Sequence, residues 1–157
     1  MKNIIILLLI MISMLSAVEL KGYTLGDTCT TELIQANTLA GIPGAIFLET
    51  LNDNRIHSMG FMPSSDLTSL DRINQSDVTR LVNGLNAKYD INLRFYPKQY
   101  SRNSGFYKAT KDNIVYLISV DYNQFMTPAY QITIYISDTA LLNISNAEKQ
   151  SEANLDF

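Results

Sequence analysis

The chain has 157 residues, with 12 Lys+Arg against 15 Asp+Glu, one His, one Cys and no Trp, and 46% of it is hydrophobic. That is apolar surface for one compact domain, and a charged fraction of 17% excludes the disordered polyelectrolytes that lack a core. No dinucleotide fingerprint, P-loop, nucleophile elbow, HExxH helix or paired-cysteine metal motif is present.

Lys2, the uncharged run Ile4 to Ile12 and the small residues ending at Ala17 have the tripartite order of an export signal. The run is too short to span a bilayer, which takes about 18 to 20 apolar residues. Residues 1–17 are therefore expected to be removed after Ala17, leaving an exported, periplasmic or secreted chain with no transmembrane span. Cys29 is then the only thiol, so no intrachain disulfide forms, and it is expected to act as a small buried apolar group.

Val18 to Gly26 reads as an extended lead-in. Cys29, Leu33, Ala36 and Ala40 recur at helical spacing before the stop Gly41 and Pro43, which predicts a helix over 28–40. Segments 45–50 and 55–62 flank Leu51 to Asn54, a turn-forming stretch, and predict a β-hairpin. From Ser76, the stripe Val78, Leu81, Val82, Leu85 and Tyr89 predicts a second helix. Period-two alternation then marks strands at 91–96, 105–111, 114–122 and 130–137, with a polar loop from Lys98 to Ser104. The strand at 114–122 is expected to be central. Phe125 and Met126, before Pro128, are expected to plug the end of the sheet. Asp138 opens a short helical turn through Leu142, and 143–157 reads as a polar, flexible tail.

The sum is an α+β domain over 18–142: an antiparallel sheet of five to six strands with two main helices packed on one face. His57, the sole histidine, has no spacing to a nucleophile or acid and reads as structural. No ligand cluster of recognisable spacing implies a metal, and no cofactor is expected. The expectation is a non-enzymatic binding protein.

The uneven feature is charge. Lys88 to Lys111 holds six bases against one acid, Asp90, with Tyr89, Phe95, Tyr96, Tyr100, Phe106 and Tyr107 interleaved. Bases attract anions and aromatic rings stack on sugars or cations, so Arg94, Tyr96, Lys98, Tyr100, Arg102 and Lys108 are the candidate contacts. The expected partner is an envelope protein or an anionic envelope polymer or lipid, and not nucleic acid. One alternative is a secreted inhibitor or immunity-type protein inserting the 98–104 loop into an envelope enzyme. Ser104, Gly105 and Tyr107 resemble the Ser-Gly…Tyr loop of periplasmic lysozyme inhibitors, one residue short and without a disulfide. The other alternative is a hydrolase with spatially paired carboxylates.

Overall fold

The computed structural model describes residues 18–30, 35–67 and 69–155. The expected export signal, 1–17, lies outside them. The strands are β1 (Glu19–Leu20), β2 (Tyr23–Thr24), β3 (Gln35–Leu39), β4 (Ile42–Thr50), β5 (Ile56–Pro63), β6 (Arg72–Ile73), β7 (Arg94–Lys98), β8 (Ser101–Lys111), β9 (Ile114–Tyr122) and β10 (Tyr130–Asp138). Two helices complete the described fold, α1 (Gln75–Tyr89) and α2 (Thr139–Leu155).

The domain is mixed α+β and antiparallel, but its sheet is larger than expected: eight strands, plus the two-stranded β1–β2 hairpin. Two meanders compose it. The first is β3-β4-β5, the second β7-β8-β9-β10, and β10 returns to pair with β5, giving the order β3-β4-β5-β10-β9-β8-β7. β6 pairs with the start of β10. The middle of the sheet is therefore β10, not the strand at 114–122, which lies beside it.

The helix expected over 28–40 is absent in its described parts. Residues 26–29 run beside 54–56, with the Gly26 N–H donating to the Ile56 carbonyl at 2.9 Å and the Cys29 N–H to Asn54 at 2.8 Å. Residues 35–39 are strand β3. The supposed helix stop is a hairpin turn: Ala40 and Gly41 both have positive φ, 51° and 76°, the conformation of two-residue turns whose twist matches that of antiparallel strands. Cys29 is half-buried and packed against the core.

Alternation builds that core. Ile132, Ile134 and Ile136 on β10 line up with Met59 and Phe61 on β5 and with Tyr116, Ile118 and Val120 on β9, all nearly inaccessible to solvent. Val78, Leu81, Val82 and Leu85 of α1 cover this face, and each buried side chain of this size contributes about 1.5–3 kcal/mol. α1 starts one residue earlier than expected, with Asn74 as its N-cap; the Asn74 N–H donates to the Asp77 carboxylate at 3.4 Å. At its other end the Tyr89 hydroxyl donates to the Glu19 carbonyl at 2.6 Å and ties down β1.

Of the two main helices expected on one face, only the one from Ser76 forms, as α1, because 28–40 is not helical in its described parts; α2 contributes nothing to this core cluster among the described residues. α2 lies against β5 and β10, and Ser58 and Ser137 alternate with the core residues Met59 and Ile136 and point the other way. Ser58 is nevertheless buried, and α2 is the element available to cover it. The residues 143–155 read as a tail form the body of this helix. No helix among the described residues is long and apolar enough to cross a membrane.

Candidate binding face

The six bases between Lys88 and Lys111 do not share one surface. Lys111 Nζ donates to the carbonyls of Tyr89 and Asp90 and to the Asp90 carboxylate, each at 3.1 Å, closing the C-terminal end of α1, where the helix dipole favours a cation. Lys88 lies on α1, over the Tyr89 ring. The aromatics divide as well. Phe95 and Tyr107 face the core with ring centroids 4.8 Å apart.

The remaining residues converge by strand register. Arg94 is directly opposite Lys108 and Tyr96 opposite Phe106, so these four side chains occupy the sheet face away from α1. Like charges placed opposite one another repel, an arrangement that concentrates positive potential at the cost of local stability. Tyr96 and Phe106 stack at 5.4 Å with 21° between their planes, and both remain exposed, at 46% and 40%. Lys98 follows on the same face, 3.7 Å from Asp121 of β9. Leu117 and Ser119 of β9, opposite Lys108 and Phe106, continue the face inwards. A shallow hollow of about 570 Å³ lies along this edge, bounded by Arg94, Tyr96 and Lys108 and, at the end of α1, by Lys111 with its carboxylate partner Asp90.

The expected loop from Lys98 to Ser104 is a two-residue turn, Gln99 and Tyr100, followed by strand. Pro97 is opposite Gly105 but Lys98 opposite Ser101, so Arg102, Asn103 and Ser104 form a bulge on β8. Serine side chains satisfy its backbone: Ser101 Oγ accepts the Ser104 N–H at 3.1 Å and Ser104 Oγ accepts the Tyr122 N–H at 3.0 Å. Gly105 is required beside it, because a Cβ there would collide with the Tyr96 carbonyl and meet Pro97 Cα at 2.9 Å. Tyr100 projects from the turn, 92% exposed, and Arg102 lies on the bulge, separated from the Arg94–Lys108 pair. Phe106 belongs to this face but not to the six residues singled out from the sequence; the period-two alternation linking it to Lys108 was the available signal.

His57 sits elsewhere. Glu49 is opposite Ser58 and Thr50 opposite Ile56, so His57 is the extra residue of a β-bulge. It is 1% exposed, and its Nδ1 has no hydrogen-bond partner. Ser58 Oγ and Ser137 Oγ are hydrogen-bonded beside it at 2.8 Å. Burial holds the imidazole below its ordinary value; Glu49 and Glu148 oppose that shift, and Lys149 adds to it. The folded state thus resists a proton that the unfolded chain takes up near pH 6.5. The contribution is present in full above that pH and is lost as pH falls through it towards the lower folded value. Urea midpoints should decline between about pH 7 and pH 5, and His57→Gln should flatten that part of the profile.

Among the described residues no group of three or more His, Cys, Asp or Glu side chains is placed to hold a metal ion. The chain matches no family model, no curated protein and no solved structure.

Proposed function

We propose that the chain is an exported, non-catalytic binding protein that holds an anionic envelope polymer on the open sheet face of Arg94, Tyr96, Lys98, Phe106 and Lys108. One observation carries this reading: a stacked, solvent-facing Tyr96–Phe106 pair beside the unpaired juxtaposition of Arg94 and Lys108. Rings of this kind offer flat apolar surface to sugar rings, and the two cations lie where acidic substituents of the same polymer would reach. The chain as a whole is acidic, with a formal net charge of −3, so a polyanion is directed to this face.

Binding to immobilised heparin, with neutral dextran as control, tests the reading. The native chain is expected to be retained at low salt and released as salt screens the cations. Arg94→Glu with Lys108→Glu replaces attraction by repulsion at the centre of the face and should weaken retention about a hundredfold or more. Tyr96→Ala with Phe106→Ala should weaken it about tenfold, with the salt dependence preserved. Unchanged retention in the charge-reversed variant overturns the proposal. For the inhibitor reading, Tyr100 is the one large apolar side chain exposed between Lys98 and Ser104, since that segment is a two-residue turn followed by strand and not a long loop.

A further inference from the structure

Seven large apolar side chains are exposed among the described residues, and four of them are at one end of the sheet. Tyr100 lies in the β7–β8 turn, Phe125 and Met126 in the β9–β10 connection, and Leu70 just before β6. Alternating strand directions put the first two connections at the same end, and β6 pairs with the start of β10. Their proximity is direct: a hollow of about 410 Å³ is bounded by Ser101, Arg102 and Asn103 at the start of β8, by Asp121 and Tyr122 at the end of β9, and by Asn123, Gln124 and Phe125 of the β9–β10 connection. Gln131 Nε2 donates to the Leu70 carbonyl at 3.2 Å, and the Arg72 guanidinium to the Ala129 carbonyl at 2.9 Å.

Phe125 and Met126 do not plug the sheet, as the sequence led us to expect. They are 88% and 48% exposed. The connection is closed by its own backbone and by one side chain: the Asn123 N–H donates to the Ala129 carbonyl at 3.0 Å, the Met126 N–H to the Asn123 carbonyl at 3.2 Å, and the Phe125 N–H to the side-chain Oδ1 of Asn123 at 3.0 Å. A loop held in this way presents its apolar side chains outward with little ordering left to lose on binding. Lys98 and Arg102 flank them. The nearby carboxylates are Asp121, engaged by Lys98, Asp66, which accepts from Ser69, and Asp71.

We propose that this end of the sheet docks on a lipid bilayer rich in anionic headgroups. Phe125, Met126, Tyr100 and Leu70 enter the interfacial region, and Arg102 and Lys98 lie at the phosphates. Projecting apolar tips with cations set behind them match the layered chemistry of that interface, in which a polar, negatively charged plane overlies hydrocarbon. Aromatic side chains are favoured at the boundary itself. The inference stands on the loop tips; it shares Lys98 alone with the sheet face and needs nothing from polymer binding there.

The absence of tryptophan from the chain makes Phe125→Trp a single-site reporter. With vesicles of phosphatidylethanolamine and phosphatidylglycerol, its emission should shift to the blue and be quenched by lipids brominated on the acyl chain. In co-sedimentation with the same vesicles, Phe125→Ser with Met126→Ser should reduce binding about tenfold or more, the effect of withdrawing one large apolar side chain from burial. Arg102→Glu should reduce it about fivefold or more. Circular dichroism of these variants should match the native chain, since all three side chains are on the surface. An unshifted or unquenched emission at saturating vesicles overturns the proposal, as does native-like sedimentation of the double serine variant. A shift produced by a soluble envelope protein and not by vesicles also overturns it, and makes the tips a protein contact.

Discussion

Phe61→Ala is expected to destabilise the domain by about 3–5 kcal/mol, the range for truncating a buried aromatic residue, and so to remove a large part of a typical total of about 5–15 kcal/mol. Phe61 is 0% exposed. It stands opposite Ile134 on β10 and Ile46 on β4, and its ring lies against the backbone of Gly44, where a Cβ would collide with it. The truncation thus leaves a cavity at the seam of the two meanders, under α1, where backbone hydrogen bonds on both sides limit collapse. Urea denaturation reads the loss directly. Tyr100→Ala, at the exposed turn, is the control and should stay within about 0.5 kcal/mol of the native chain.

The second large effect comes from adding atoms. Gly60 is on β5, opposite Phe47 and Tyr135, whose rings meet edge to face above it at 5.3 Å. A Cβ at this position collides with the Phe47 ring and with the Ile134 carbonyl. Gly60→Ala should cost about 1–3 kcal/mol or more, the usual consequence of overpacking a close contact. The two obstacles differ in kind, because the ring can rotate while the carbonyl belongs to the β5–β10 ladder. Adding Phe47→Ala should therefore recover only part of the loss in a double-mutant cycle. Full recovery would assign the strain to the ring alone.

The elements whose pattern is dictated by burial were readable in advance. Val78, Leu81, Val82 and Leu85 form a stripe because α1 lies on the sheet, and Tyr116, Ile118 and Val120 alternate because β9 has one covered face. Segments without a buried face gave no such signal. β3 is an edge strand whose side chains are exposed or half-buried, so nothing in Gln35 to Leu39 enforces period two, and the spacing of small residues suggested a helix. α2 lies against β5 and β10 and adds no residue to the apolar cluster among the described residues, so no apolar stripe betrays it. Strand order was hidden for a different reason: β10 reaches β5 across more than sixty intervening residues, and no local property of either strand names its partner. At the candidate face, alternation was sufficient to place Arg94, Tyr96 and Lys98 together. The withdrawal of Lys111 into a helix cap depended on where α1 ended in space.

The order of synthesis has a consequence for this topology. The strand at the middle of the sheet is the last of the ten to leave the ribosome, so β5, buried along nearly its whole length in the finished protein, waits without its neighbour until the C-terminal quarter of the chain exists. An apolar strand with an open hydrogen-bonding edge is a template for wrong pairing. A chain interrupted before Tyr130 would therefore be insoluble instead of partly folded, and nascent forms of this protein should depend on a chaperone for longer than the modest length of the chain suggests.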